Sequence, residues 1–231
     1  MIYVTLVALL VGFLSGSIMY GTIIAKLGYQ KNIKRYGSKN PGSTNMGRIL
    51  GKSAAILTFI MDGLKGVVPI ILFLILKLYV DDFAQVNIFI AGYGAVLGHC
   101  FSPLEKFQGG KGVATSIWVI CFISPLFLPM IVVSWTGSLL LTGYASVASI
   151  MYAATTATLA ASVAPIIKSN YIYEAFDLTW TNLDYQITLC MIIGICLLVI
   201  IRHHVNLYRL INGIENKTSI HQFLKKKFKK S

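Results

Sequence analysis

The stretch 113–167, VATSIWVICFISPLFLPMIVVSWTGSLLLTGYASVASIMYAATTATLAASVAPII, contains no Asp, Glu, Lys or Arg. A single soluble core does not explain so long an uncharged run. Membrane-spanning helices do, because one crossing takes roughly 20 mostly apolar residues. The tract has room for one, two or three crossings. Outward from it, residues 2–25, 54–78 and 86–104 read as three earlier spans, and 186–204 as a later one. The chain as a whole is 56% hydrophobic and 12% charged, too little polar surface to cover a soluble globule. The first 25 residues lack the basic start and the A-x-A site of a cleaved signal, so they read as the first span.

Charge decides the crossing count. Seven cations lie from Lys26 to Lys52, two flank Glu105 at Lys106 and Lys111, and eight run from Arg202 to Lys230. Between them stand two acidic segments, Asp81–Asp82 and Glu174/Asp177/Asp184, with Lys77 and Lys168 the only nearby cations. The positive-inside rule places the basic segments in the cytoplasm and the acidic ones outside. Residues 113–167 therefore start inside and end outside, which requires an odd number of crossings. One would strand some 35 apolar residues, so three are expected, with breaks near Ser124–Pro125 and Thr142–Gly143. The expected fold is an all-α integral membrane bundle of about seven helices. Its N-terminus is outside and its C-terminus inside, in a single domain over 1–231 with a basic cytoplasmic tail at 217–231. Cys100, Cys121, Cys190 and Cys196 read as buried, reduced thiols, and His221 as a solvated tail residue.

The basic segments carry the chemistry. The first, Gly37-Ser38-Lys39-Asn40-Pro41-Gly42-Ser43-Thr44-Asn45-Met46-Gly47-Arg48, combines turn-forming glycines, neutral donors and a guanidinium fork. That composition suits an anion nest, and equally an ordinary polar loop. The second includes Gly98-His99 and Gly109-Gly110-Lys111-Gly112, the latter opening an apolar helix. Backbone N–H groups and a lysine thus meet at a helix N-terminus, a favourable place for phosphate. It is not a nucleotide-binding P-loop, since Glu105 and Gly112 stand where that motif needs Gly and Ser/Thr. The third, Arg202-His203-His204-Val205-Asn206-Leu207-Tyr208-Arg209, sits at the end of the last span. His203 and Asn206 are three apart there and share a helix face, and a histidine in that position also suits an interfacial anchor. Asp62 and Lys65, three apart within the second span, read as a structural pair.

Taken together, Gly37-Ser38-x-Asn40-x-Gly42-x-Thr44-Asn45-x-x-Arg48, Gly98-His99 with Gly109-Gly110-Lys111-Gly112-Val113-Ala114-Thr115, and Arg202-His203-x-x-Asn206 resemble the bacterial membrane glycerol-3-phosphate acyltransferases that use acyl phosphate. Gly16-Ser17-Ile18, Asp62-x-x-Lys65-Gly66 and Gly213-x-Glu215 extend the likeness almost end to end. The resemblance implies a seven-helix enzyme of phospholipid synthesis that esterifies the 1-hydroxyl of glycerol 3-phosphate, releasing lysophosphatidic acid and phosphate. By position it implies Ser38, Arg48, Lys111, Ser149, His203 and Asn206 as catalytic residues. Asn40, Gly42, Thr44, Asn45, His99, Gly109 and Gly110 would bind substrate, and Asn206 would hold His203. Partners would be glycerol 3-phosphate, acyl phosphate, membrane lipids and an enzyme producing acyl phosphate, with no cofactor, metal or nucleic acid. The location would be the bacterial plasma (inner) membrane, with the site facing the cytoplasm. The chain departs from the family's usual residues at Asn32, Lys34, Lys39, Ser43, Ser102, Gln108 and Val205. A transporter of a phosphate ester is the rival reading. It would place its substrate groups near the midplane, often with inverted repeats, whereas these motifs gather at one interface.

Overall fold

The computed structural model of the chain describes residues 2–162 and 170–218, whose regular elements are all helices. Lys168, His221, the end of the uncharged tract and nearly all of the 217–231 tail lie outside the described residues. The helices are α1 (Ile2–Ser17), α2 (Tyr20–Tyr29), α3 (Ser43–Leu50), α4 (Lys52–Tyr79), α5 (Phe89–Cys100), α6 (Val113–Ile123), α7 (Phe127–Thr142), α8 (Ala145–Ser162), α9 (Tyr171–Ala175), α10 (Asn182–Ile201) and α11 (His204–Ile211). Three stretches, Ile2–Tyr29, Lys52–Tyr79 and Asn182–Ile201, are long and apolar enough to cross a membrane.

The uncharged tract divides where its sequence breaks. Ser124 is extended (φ −152°, ψ 116°) and ends α6. Gly143 takes the left-handed conformation (φ 79°) that ends α7, which a residue without Cβ adopts without strain. Other boundaries move. α10 begins at Asn182, four residues before the expected 186, because Thr181 and Asp184 form a reciprocal cap. It ends at Ile201, with Arg202 and His203 in a turn before α11. The first span is interrupted at Ile18 and Met19, which is non-helical (φ −95°, ψ 83°).

Packing follows small residues. α1 and α5 meet backbone to backbone, with Gly12 and Gly16 against the carbonyls of Ala91 and Ala95, and Gly94 and Gly98 against those of Leu9 and Phe13. A Cβ at any of these four glycines would overlap the facing carbonyl oxygen. Close approach of this kind is how helices associate where lipid supplies no hydrophobic drive. The main core draws Ile70, Phe73, Val119, Ile120, Tyr152 and Ile192 from α4, α6, α8 and α10. A smaller core of Ala25, Ile33, Met46 and Ala54 lies under the first basic segment. Large apolar side chains such as Leu6, Leu10, Ile71, Ile75 and Leu197 are exposed. Of the four free thiols Cys100 and Cys196 are buried and Cys121 half-buried. Cys190 is exposed, because its position on α10 faces outward rather than into the core.

One end of the bundle is sealed. Lys77 donates to the carbonyls of Ala84 and Val86, and its ammonium lies 5.3 Å from the centre of the Tyr173 ring. Tyr173 packs edge-on against Trp180 at 4.7 Å. The other end, where α4 begins, is open.

Candidate active site at the open end of the bundle

The first basic segment is a turn held by its own asparagines. Gly37 is left-handed (φ 59°), and a Cβ there would strike Asn45 Oδ1. Asn45 Oδ1 accepts from the Ser38 N–H at 3.0 Å, and its Nδ2 donates to the Tyr36 carbonyl at 3.1 Å. Asn45 is thus a buried staple whose amide is engaged within the loop. Asn40 Oδ1 accepts from the Gly42 N–H at 2.9 Å, forming an Asx turn. Gly42 then caps α3 in extended conformation. Thr44 and Arg48, four apart on α3, share a face. Burial lowers the Arg48 pKa, and the negative charge of Glu215 acts against that shift.

The second segment is braced from behind. The Gly110 N–H donates to the His99 carbonyl at 2.9 Å, so that amide is engaged within the protein. Arg202 donates from Nε to the Gly110 carbonyl at 3.2 Å and from Nη2 to the Gly109 and Gly110 carbonyls at 3.1 and 3.0 Å. A Cβ at Gly110 would overlap the His99 ring. Gly112 (φ 79°) then turns the chain into α6. Between the glycines Lys111 projects forward, and its Nζ donates to Asn206 Oδ1 at 2.5 Å.

The third segment closes the ring. The ring of His203 is held by the Val199 carbonyl, 2.7 Å from Nδ1, rather than by Asn206 as expected. His203 stands in the turn between α10 and α11, so the two side chains do not follow a single helix face. A carbonyl only accepts, so Nδ1 carries the proton and Nε2 keeps its lone pair. Burial, and next the charge of Lys111, push the His203 pKa down to about 4. The imidazole is neutral at pH 7. Asn206 Nδ2 donates to Glu215 Oε1 at 2.7 Å, which also accepts from Ser146 Oγ at 3.1 Å. Lys111, Asn206, Glu215 and Ser146 form one hydrogen-bonded chain.

These segments enclose a cavity of about 590 Å³. Ser38, Arg48, Lys111, Ser149, His203 and Asn206 all line it, as do Asn40, Gly42, Thr44, Asn45 and His99. Gly109 and Gly110 do not; they form the backing on which Lys111 is mounted. Ser149 Oγ donates to the Ala145 carbonyl at 2.8 Å and keeps its lone pairs. The polar end continues into an apolar one between α4 and α7, lined by Ile56, Phe59, Ile131, Val132, Trp135 and Leu139. Ile56 and Val132 are exposed although they line the cavity, so its apolar part is not closed off. A charged head and a long apolar tail fit such a space together.

A family model described as glycerol-3-phosphate acyltransferase matches residues 6–213. The chain belongs to the glycerol-3-phosphate acyltransferase family. A glycerol-3-phosphate acyltransferase of Streptococcus gordonii is 36% identical over 92% of both chains. Glycerol-3-phosphate acyltransferase 2 of Bacillus anthracis is 35% identical over 92% of this chain and 98% of its own. Among solved structures, the glycerol 3-phosphate form of PlsY (YgiH), an integral membrane glycerol 3-phosphate acyltransferase, matches with a TM-score of 0.74. It is 31% identical, over 95% of this chain and 98% of that one. The lysophosphatidic acid form of the same protein matches with a TM-score of 0.70. This acyltransferase is accordingly an integral membrane enzyme of phospholipid synthesis that produces lysophosphatidic acid.

Two contributors are absent from the expected set of site residues. Glu215 belongs to the Gly213-x-Glu215 signature, but only folding brings its carboxylate to Asn206 and Ser146. Arg202 belongs to the third motif, yet it supports the glycine pair of the acyltransferase from behind. The departures from the family pattern lie around the site. Asn32 caps a turn through the Lys34 N–H at 3.1 Å, Lys34 pairs with Glu105 at 2.6 Å, and Val205 is exposed.

Proposed function

We propose that this acyltransferase takes its acyl group from acyl phosphate and delivers it to the 1-hydroxyl of glycerol 3-phosphate. The observation that carries this is the two-part cavity, cationic at its polar end and apolar between α4 and α7. Arg48, Ser38 and the start of α3 hold one phosphate, and Lys111 with the start of α6 the other, while the acyl chain lies along the apolar part. His203, neutral with Nε2 unprotonated, accepts a hydrogen bond from glycerol 3-phosphate. The hydroxyl oxygen attacks the acyl carbonyl, the acyl–oxygen bond to phosphate breaks, and the leaving phosphate takes the hydroxyl proton. Lys111 and Ser38 stabilise the charge on the carbonyl and leaving group. Ser149 and Asn206 complete the wall, with Asn206 fixing Lys111. Formation of lysophosphatidic acid and inorganic phosphate from these two substrates by the detergent-purified chain tests the reaction. Absence of product would reject it.

The site faces the cytoplasm of a bacterium, in a single domain that crosses the plasma membrane seven times, by α1, α4, α5, α6, α7, α8 and α10. α5 and α6 are short for a crossing, but irregular backbone is tolerated at membrane depth where it lines a cavity, as residues 111 and 112 do. Cysteines placed at Lys39 and Lys217 are expected to react with an impermeant reagent only from the cytoplasmic side, and one at Asp177 only from outside. Labelling of 39 and 177 from the same side would overturn this topology.

Lys111 also sets a pH limit. Burial is the main cause that lowers its pKa to about 8, and Glu215 opposes it. The ammonium is therefore lost above about pH 8 in the free enzyme. We expect kcat/KM, which reports free-enzyme ionisations, to fall through that range, and the fall to shift to higher pH in Lys111→Arg. An unchanged alkaline limb in that variant would assign the limb to another group.

A further inference from the structure

We propose that the buried Asp62–Lys65 pair is a positioning device that fixes the spacing of the two anion-binding loops across the cavity. The proposal rests on the roles given above to those loops. Lys65 Nζ lies 2.9 Å from Asp62 Oδ1, with both side chains almost wholly buried in α4. A pair serving only its own helix would end there, but this one reaches in two directions.

The first direction is the interruption between α1 and α2. Lys65 Nζ donates to the Ile18 carbonyl at 2.6 Å, and Ser15 Oγ returns a bond to the Lys65 carbonyl at 2.8 Å. Ser102 Oγ donates to the adjacent Ser17 carbonyl at 2.6 Å. A broken helix leaves carbonyls without intrahelical partners, and here an ammonium and a hydroxyl fill that need and keep the break open. Beyond it, α2 brings the Gly21 backbone against the Pro41 carbonyl, where a Cβ would not fit. It also carries Ala25 into the small core that seats Met46 of α3. The angle of α2 therefore sets the place of Asn40, Gly42 and Arg48.

The second direction is the glycine loop. Asp62 Oδ1 lies 3.8 Å from His99 Nδ1, and that ring is also 3.2 Å from Thr115 Oγ1, on the first turns of α6. Gly110 rests its backbone on the same ring and bonds to the His99 carbonyl. Lys111 follows directly. One ion pair thus sits between the supports of both loops, and Asp62 itself lines the cavity that the two loops face.

The test removes both charges at once, so that neither is left buried alone. In Asp62→Asn/Lys65→Gln we expect the KM values for glycerol 3-phosphate and for the acyl phosphate donor both to rise about tenfold or more, because each loop holds one of the two phosphates, with the thermal midpoint in detergent close to native. Lys65→Arg, which keeps a cation able to reach the Ile18 carbonyl, is expected to stay within about threefold of native. Ser102→Ala loosens the same break without touching the pair, and should raise the glycerol 3-phosphate KM by about threefold if the double variant fails to fold. Native KM values in the double variant or in Ser102→Ala would overturn the proposal. So would a rise in both that comes only with a lowered thermal midpoint, which marks a pair that holds only the fold. Lys111→Ala, run alongside, tests the loop roles separately.

Discussion

Lys111→Ala and Arg48→Ala are each expected to lower kcat/KM by at least about 100-fold, with the protein still inserted and folded. A factor of 100 corresponds to about 2.7 kcal/mol of lost transition-state stabilisation, the scale for removing one preorganised charge or donor. The two losses should differ in kind. Arg48 is half-buried on the α3 face it shares with Thr44, and in the proposed site it binds a ground-state phosphate, so its removal is expected to show mainly in KM. Lys111 is mounted between Arg202-braced glycines and Asn206, where the proposed reaction develops charge on the carbonyl and leaving group, so its removal is expected to show mainly in kcat. Stability separates site loss from misfolding. The folded pKa of Lys111, about 8, lies below that of an exposed lysine, so between the two values the unfolded chain binds more protons. Lys111 therefore opposes folding at neutral pH, and that opposition fades as pH rises above about 8. At pH 7 the thermal midpoint of Lys111→Ala should not fall by this route, whatever the activity does. Near-native turnover in either variant would place the chemistry elsewhere.

How much of this was legible follows from what each feature depends on. Breaks at Ser124 and Gly143 depend on local backbone preference, and the sequence shows both. The three cavity-lining segments were legible because charge, glycine and amide side chains cluster on one face of the chain's hydropathy pattern. Contacts over long sequence separations were not. Nothing near Glu215 in sequence points to Asn206 and Ser146, and nothing near Arg202 points to the carbonyls of Gly109 and Gly110. The resemblance implies Asn45 as a substrate ligand, yet its own loop engages that amide. Gly110 reads as an anion donor because it precedes a helix, yet its N–H turns back to His99. In each case a polar group chosen for its chemistry serves the scaffold, a competition that composition cannot resolve. The break in the first span escaped the hydropathy pattern because Ile18 and Met19 are as apolar as their neighbours. Its stabilisers, Lys65 and Ser102, come from elsewhere in the chain.

Donor choice follows from which groups can move a proton. Glycerol-phosphate acyltransferases of the soluble-donor type carry a histidine with an aspartate five positions on, the carboxylate orienting the ring as a general base. The residues five positions after His99, His203, His204 and His221 are Leu104, Tyr208, Arg209 and Lys226. Asp62 does approach His99, but at 3.8 Å and already paired to Lys65, too far to hold the ring by a hydrogen bond. His203 is oriented by a backbone carbonyl, and the nearby Lys111 opposes rather than supports its protonation. A thioester has no oxygen on its leaving sulfur to accept the hydroxyl proton during attack, the sulfur being only a weak acceptor, and would find no strong base here. Acyl phosphate is an activated mixed anhydride whose departing phosphate can accept the proton itself. Such a reaction needs mainly positioning and charge neutralisation, which is the role proposed for Arg48, Lys111 and the first turns of α3 and α6. We expect palmitoyl phosphate and glycerol 3-phosphate to give lysophosphatidic acid with the purified chain in EDTA. Palmitoyl-CoA or an acyl carrier protein thioester should react at least about 100-fold more slowly, since general base catalysis contributes 10²–10⁴-fold where it operates. Equal turnover with the CoA thioester would overturn the donor assignment and require a base that the described residues do not present.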